Sequence, residues 1–78
     1  ELADKNILVN SVAPGFTKTE LTDSTNTLEE LNTIKSLIPV RRFADPIEIA
    51  NLVLFLSSDL NTYITGQNIV IDGGYTNV

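Results

Sequence analysis

One apolar helix sets the strongest limit on how this chain can fold. In the segment DPIEIANLVLFLSSD, Asp45 is a preferred helix N-cap, Pro46 suits the first helical position and Glu48 completes a capping box. The run IANLVLFL that follows contains one polar residue. A helix that is apolar nearly all round must be covered on more than one side. We therefore predict a helix over 46–58 that packs on a sheet and also needs a second partner.

Two shorter apolar runs predict the strands of that sheet. The first, NILVNSVA over 6–13, ends at a Pro-Gly pair, and the second, over 69–71, ends at Asp-Gly-Gly. Continuous apolar runs are typical of parallel strands covered on both faces. Together with the helix between them, the two strands indicate a βαβ unit. Residues 1–5 resemble the last turn of a further helix.

A second helix is predicted between the strands, in the segment TLEELNTIKSL. Thr27 and Glu30 form a capping box, and Pro39 ends the helix. The predicted apolar face consists of Leu28, Leu31, Ile34 and either Leu37 or Ile38. A loop rich in Thr, Ser and Asn over 14–26 precedes this helix.

Composition excludes several classes of function. The 78 residues carry a net charge of −5, with no cysteine and no histidine. Disulfides, thiolate metal sites and histidine-based catalysis are therefore absent, and the scattered carboxylates suggest no metal site. The acidic balance argues against nucleic-acid binding. No apolar run approaches the roughly 20 residues of a membrane span, and no secretory signal is visible, so we expect a cytoplasmic protein.

A series of short motifs resembles one family. The motifs are N-I-x-V-N-x-V-x-P-G at 6–15, a threonine at the end of P-G-x-x-x-T, P-x-x-R-F with D-P-x-E-I-A at 39–50, F-L-S-S-D at 55–59 and Y-I-T-G-Q-x-I-x-I-D-G-G at 63–74. In this order and spacing they resemble the C-terminal third of a short-chain dehydrogenase/reductase, and in particular the β-ketoacyl-acyl carrier protein reductase type.

The resemblance implies an α/β fold, in which residues 1–78 are the C-terminal βαβ portion of a Rossmann-like, doubly wound parallel sheet. The segment would contribute the last two strands, the crossover helix and a lid helix, with residues 20–42 closing over the substrate. The glycine-rich first turn, the catalytic Tyr-x-x-x-Lys pair and the catalytic serine of the family are missing. We therefore expect a fragment of the enzyme with no catalytic residue in this chain, and no activity on its own.

The loop after the first strand is the predicted cofactor site. Ligands of open parallel sheets bind beyond the carboxyl ends of the strands, where Pro14 and Gly15 are expected. Glycine allows the backbone to approach a ring closely. We expect the amide and carbonyl of Thr17 to pair with a nicotinamide carboxamide, and the Thr19 hydroxyl to reach that carboxamide or a phosphate oxygen. The family usually has an aliphatic residue at the position of Thr17.

Other polar residues have simpler interpretations. Asn10 is interpreted as a structural hydrogen-bonding residue, and Asp45 and Glu48 as helix caps. Residues 72–74 are interpreted as a simple turn, whereas the resemblance implies a strand end near the subunit interface and the edge of the substrate region. Arg41 and Arg42 are interpreted as a solvated or domain-edge pair, although a basic site near a lid could attract an acidic carrier or a phosphate.

By this resemblance the parent protein is an oxidoreductase that uses NAD or NADP, which the sequence does not distinguish. Its substrate would be a small molecule or an acyl group on a carrier protein. The alternative is a non-catalytic, truncated oligomerisation or folding module. We expect a homo-oligomer, a dimer or a homotetramer, that assembles through helix 46–58 and strand 68–71. Leu54 and Phe55 would face outward and Leu52 and Leu56 would face the sheet.

Overall fold

The computed structural model describes residues 3–19 and 26–77 of the chain. The main elements are β1 (Ser11–Pro14), α1 (Leu28–Leu37), α2 (Pro46–Ser57) and β2 (Asn68–Ile71). Single turns of 3-10 helix occupy Ala3–Lys5 and Tyr75–Asn77. The order of elements agrees with the predicted α/β fragment, in which two strands are joined across two helices. Residues 20–25 of the predicted lid lie outside the described residues.

The two strands pair in parallel. Ser11 is paired with Asn68 and Pro14 with Ile71. The amide of Gly15 continues the pairing with a 3.0 Å hydrogen bond to the carbonyl oxygen of Ile71. The carboxyl ends of β1 and β2 therefore lie side by side, which is where parallel sheets bind their ligands.

The predicted strand over 6–13 is partly wrong, because β1 starts only at Ser11. The Asn10 side chain explains the late start. Its Nδ2 donates to the Ile64 carbonyl oxygen at 2.9 Å, and its Oδ1 accepts from the Gln67 amide at 3.1 Å. At this position a side-chain amide thus makes the hydrogen bonds that ladder pairing would otherwise make, which confirms the structural interpretation of Asn10.

The prediction that both faces of the strands are covered is wrong for the described residues. In β2, Ile69 and Ile71 are half-buried, whereas Val70 is exposed on the opposite face. Before β1, Ile7 and Val9 are also exposed. The cause is that side chains alternate between the two faces of a strand, and the described residues cover only one of these faces well.

The N-terminus of α1 is capped as predicted. The Thr27 amide donates to Glu30 Oε1 at 2.8 Å, and the Glu30 amide donates to Thr27 Oγ1 at 3.1 Å. The predicted apolar face is wrong at Leu28, which is 73% exposed, and of the two alternatives at its other end Leu37 is exposed. Ile38, which follows the helix, is only 2% exposed and takes the buried position.

The more apolar helix, α2, ends one residue earlier than predicted, with Ser58 as its C-cap. Its Leu52 and Leu56 are half-buried, whereas Leu54 is 67% exposed and Phe55 is also exposed. This pattern agrees with the predicted orientation of the helix. Neither α2 nor any other helix in the described part of the chain is long and apolar enough to cross a bilayer.

The best-buried side chains lie outside the sheet. Ile38 and Phe43, which is 8% exposed, lie in the connector between α1 and α2. The buried Asn61 follows α2, and its Nδ2 donates to the carbonyl oxygens of Leu56 at 3.1 Å and Ile64 at 3.0 Å. The tightest packing is therefore found at the two ends of α2.

The burial difference along α2 predicts unequal costs of truncation. Leu56→Ala should lower the free energy of unfolding of the folded protein by about 2 kcal/mol, the low end for buried leucines, because Leu56 is only half-buried. Leu54→Ala, the matched control on the exposed face, should cost less than about 0.5 kcal/mol in a monomer. Urea denaturation followed by circular dichroism measures both, and equal costs would contradict the orientation.

Candidate functional site

The turn after β1 lies at the edge where the two strands end. Pro14 is the last residue of β1, as predicted, and Gly15 passes against the main chain of Asp72. A Cβ on Gly15 would lie 2.7 Å from Asp72 Cβ and 2.9 Å from Asp72 Cα, closer than carbon atoms can approach. The site therefore requires glycine because of a close approach between backbones.

Beyond Gly15 the chain makes an isolated parallel bridge to the α1–α2 connector, between Thr17 and Ala44. The Ala44 amide donates to the Phe16 carbonyl oxygen at 3.0 Å, and the Lys18 amide donates to the Ala44 carbonyl oxygen at 2.8 Å. Both hydrogen bonds of this parallel bridge are made by Ala44 with the residues before and after Thr17, so neither uses the amide or the carbonyl of Thr17 itself. The amide and carbonyl of Thr17 are therefore directed away from Ala44.

The two threonines of the turn differ in their surroundings. Thr17 Oγ1 donates to the Gly15 carbonyl oxygen at 3.1 Å, which gives this side chain a structural role in the turn. Thr19 is exposed at the end of the described segment. Pro14, Gly15, Thr17 and Thr19 thus lie on one continuous stretch at the strand ends. Their role in binding a cofactor stays a prediction.

An aromatic cluster, formed by Phe16, Phe43 and Tyr75, holds the turn in place. The ring of Phe16 lies 5.2 Å from that of Tyr75 in an edge-to-face arrangement and 6.4 Å from that of Phe43. Lys35 Nζ lies 5.5 Å from the centre of the Phe43 ring. The cluster ties the turn, the connector and the segment after β2 together.

Glu48 joins the connector to the start of α2. Arg42 forms a bidentate ion pair with it, with Nη1–Oε1 at 2.7 Å and Nη2–Oε2 at 3.0 Å. The Asp45 amide also donates to Glu48 Oε1 at 2.9 Å, as predicted for a capping box. These hydrogen bonds, first from Arg42 and then from the Asp45 amide, lower the pKa of Glu48 to about 2.

The two arginines of the connector therefore differ. Arg41 is exposed and donates through Nη1 to the Ser36 carbonyl oxygen at 2.7 Å, which fits the predicted solvated residue. Arg42 is also exposed, with 54% of its side chain accessible, and it forms an ion pair with Glu48 that the sequence did not predict. The position of Glu48 one turn into α2 brings its carboxylate within reach of the connector.

The segment after β2 forms the predicted turn, with positive φ at Gly73 and Gly74. Asp72 accepts hydrogen bonds from the amides of Gly74 at 2.9 Å and Thr76 at 3.0 Å. Hydrogen bonding by the Thr76 hydroxyl, and then by its amide, holds the pKa of Asp72 below its ordinary value. A cavity of about 210 Å3 lies between this turn, Phe16 and Ala44.

Sequence reasoning missed Ala44 and the aromatic cluster. Alanine carries no functional group, and its contribution is made by main-chain atoms that every residue has. The three aromatic residues are far apart in sequence, so no local pattern relates them. Within residues 3–19 and 26–77, no group of three carboxylate, imidazole or thiol side chains could hold a metal ion.

Comparison with known proteins places the chain. The model of the family described as Enoyl-(Acyl carrier protein) reductase matches residues 1–76. The chain is 51% identical over 75 residues to the 3-oxoacyl-[acyl-carrier-protein] reductase FabG of Aquifex aeolicus (strain VF5), covering 95% of this chain and 29% of that protein. The same enzyme of Thermotoga maritima is 50% identical over 74 residues, with 95% and 30% covered.

Two solved structures share this fold. "ElxO with NADP Bound" is 38% identical, with a TM-score of 0.83 over 97% of this chain and 32% of that one. "4-hydroxyisoleucine dehydrogenase complexed with NADH" is 37% identical, with a TM-score of 0.86 over 99% and 32%.

The fold is thus that of Rossmann-type α/β oxidoreductases. More narrowly, the family match and the relatives show that the chain belongs to the short-chain dehydrogenase/reductase family, as its motifs predicted. It spans about three tenths of the length of the curated relatives that it matches.

The low pKa of Glu48 predicts a dependence of stability on pH. A carboxylate whose pKa is lowered on folding stabilises the protein at pH values above its ordinary pKa of 4.5. This contribution is lost as the pH falls towards the folded-state pKa of about 2. In the folded protein, Glu48→Gln should remove this part of the acid-dependent loss of thermal stability.

Glu30→Gln is the matched control, because Glu30 occupies the same capping position in α1. Its carboxylate accepts from the Thr27 amide, and its pKa is also lowered. The melting temperature between pH 2 and 5 should therefore flatten more for Glu48→Gln than for Glu30→Gln. Identical pH profiles of the melting temperature for the two variants would mean that the ion pair with Arg42 contributes nothing to stability.

Proposed function

We propose that these 78 residues form the C-terminal part of an NAD(P)-dependent short-chain oxidoreductase. The full-length enzyme passes hydride between a nicotinamide ring and the carbonyl or alcohol carbon of its substrate. The observation that carries the proposal is the bridge between Thr17 and Ala44, which directs the Thr17 amide and carbonyl to the opposite side. One donor and one acceptor on a single residue complement the acceptor and donor of a carboxamide.

The surroundings of Thr17 support a flat, partly apolar ligand. The turn lies beyond the carboxyl ends of two parallel strands, the usual ligand site of an open α/β sheet. Gly15 has no side chain and Pro14 offers no amide donor. The Thr17 amide is committed neither to Ile71, which pairs with Gly15, nor to Ala44. In this proposal Thr17 binds the carboxamide through its main chain and Thr19 binds it, or a phosphate oxygen, through its hydroxyl.

The relatives support a nicotinamide cofactor but not one form of it. The titles of the two solved structures name NADP for one protein and NADH for the other. The curated relatives named above are 3-oxoacyl-[acyl-carrier-protein] reductases. We propose NAD or NADP as cofactor and a 3-oxoacyl group on a carrier protein, or a small carbonyl compound, as substrate.

A non-catalytic module is the second candidate, and the exposed apolar face of α2 favours it. Ile47, Val53 and Leu54 are all exposed on this helix, which suits an assembly surface with or without catalysis. For the 78 residues alone we propose this second role, since the cofactor would be held at one end only. Calorimetric titration of the isolated chain with NADH and NADPH should show no saturable binding. Micromolar affinity would refute the inactive fragment.

Substitution of the two threonines tests the cofactor site in the full-length protein. Thr19→Val should weaken cofactor binding about tenfold or more, because a hydrogen bond to a charged group is worth about 1.5–3 kcal/mol. Thr17→Val should be mild, since it removes only the hydrogen bond to the Gly15 carbonyl oxygen and keeps the main-chain groups. Fluorescence titration with NADH or NADPH measures both, and equal, negligible effects would refute the assignment.

We also propose that the protein is a homo-oligomer that assembles through residues 46–58 and 68–71. Both elements present unpaired surface in the described part of the chain: α2 its exposed apolar face, and β2 the edge that β1 does not pair. Open strand edges and apolar patches favour association. Two copies of α2 packed about a two-fold axis would cover the same residues on each subunit.

An added charge tests this interface. Leu54→Asp should bury an unpaired carboxylate between subunits and convert the assembly to smaller species. Leu28→Asp is the control, because Leu28 is similarly exposed, at 73% against 67% for Leu54, but lies on α1. Multi-angle light scattering of the full-length protein should show dissociation for Leu54→Asp only. A wild-type monomer at micromolar concentration would contradict the proposal.

A further inference from the structure

We infer that Ala44 is a positioning residue for the nicotinamide ring, acting through the main chain of Thr17. The inference rests on the proposed function and goes beyond it, because it assigns a role to a residue outside the turn. Ala44 reaches no ligand group of its own. Its two main-chain hydrogen bonds, to the Phe16 carbonyl oxygen and from the Lys18 amide, determine which way the Thr17 peptide groups face.

The bridge is the only main-chain pairing between the turn and the connector among the described residues. On its own side the turn is anchored at Gly15, which pairs with Ile71. After Gly15 the direction of the Thr17 amide and carbonyl depends on two contacts. One is the bridge to Ala44, and the other is the hydrogen bond from the Thr17 hydroxyl to the Gly15 carbonyl oxygen. Loss of the bridge would let the peptide groups of Thr17 rotate away from a carboxamide.

Ala44 can perform this role because hydrogen bonds hold the connector on both sides of it. Arg42 is fixed by its bidentate pair with Glu48, and its Nη1 also donates to the Phe43 carbonyl oxygen at 3.2 Å. On the other side of Ala44, the Asp45 amide donates to the same Glu48 carboxylate. Glu48 therefore clamps the residues before and after Ala44 and relates the bridge to the start of α2.

The packing of side chains supports the same geometry. Phe43, immediately before Ala44, is buried and contacts Phe16, immediately before Thr17. The bridge and this ring contact therefore hold the same two segments at neighbouring positions. A change in the connector would be transmitted to the Thr17 peptide groups without any contact between the connector and the nicotinamide ring.

Two ligands separate positioning of the ring from a general effect on folding. NADH or NADPH, whichever the full-length protein binds, contains the nicotinamide. ADP-ribose, or its 2′-phosphate for an NADP enzyme, has the rest of the cofactor without that ring. If Ala44 positions the ring, a change at Ala44 should lower the affinity for NADH or NADPH and leave the affinity for ADP-ribose unchanged.

Ala44→Pro removes the donor to the Phe16 carbonyl oxygen and is the main variant. We expect the dissociation constant for NADH or NADPH to rise roughly tenfold, the scale of one hydrogen bond to a buried partner, with that for ADP-ribose within about twofold. Ala44→Gly keeps both main-chain hydrogen bonds and should retain the wild-type ratio of the two affinities. Calorimetry on the full-length protein measures all of them.

Each result has a defined meaning. If folded Ala44→Pro binds both ligands as the wild type does, or loses both equally, Ala44 is not a positioning residue. If Ala44→Pro does not fold, Glu48→Ala decides by the same ratio, since it releases the connector and leaves its main chain intact. A wild-type protein that binds the two ligands equally overturns the nicotinamide site itself, and with it both proposals.

Discussion

The parallel pairing of β1 with β2 is the interaction on which the rest of the structure depends. It joins residues 57 positions apart, such as Ser11 and Asn68, whose side chains also share a 2.9 Å hydrogen bond. The pairing brings two strand ends to one edge and places Gly15 against Asp72. It also sets where the turn leaves the sheet, so that the connector can reach it. Without this long-range contact, the helices and turns would have no common frame.

A helix cap serves a second purpose in this fold. Glu48 is placed by local rules, as the third residue of a helix that begins after Asp45, and its first task is to accept the Asp45 amide. The same carboxylate pairs with Arg42, outside the helix. A local device for starting α2 thus also fixes the connector that lies beside the turn. Stability of the helix start and geometry of the candidate site therefore depend on one side chain.

Local signals predicted the elements of this chain well. Both capping boxes and the turns at Pro14 and at 72–74 are found where the sequence places them. The late start of the first strand has its cause in competition from distant residues. The first strand starts late because the Asn10 side chain bonds to a loop more than fifty residues away. At the end of the apolar face of α1 the sequence left Leu37 and Ile38 as alternatives, and Ile38 is the buried one.

The sequence by itself determined where the helices and turns begin and end, because caps, proline and glycine act on their immediate neighbours. It also determined the family, whose motifs are short and ordered along the chain. Only the tertiary structure decided that Arg42 pairs with Glu48 and that Ala44 turns the Thr17 peptide groups outward. The last of these uses main-chain atoms that all residues share. Main-chain hydrogen bonds do not require a particular residue type, so the sequence does not reveal them. They form only once distant segments have been brought together.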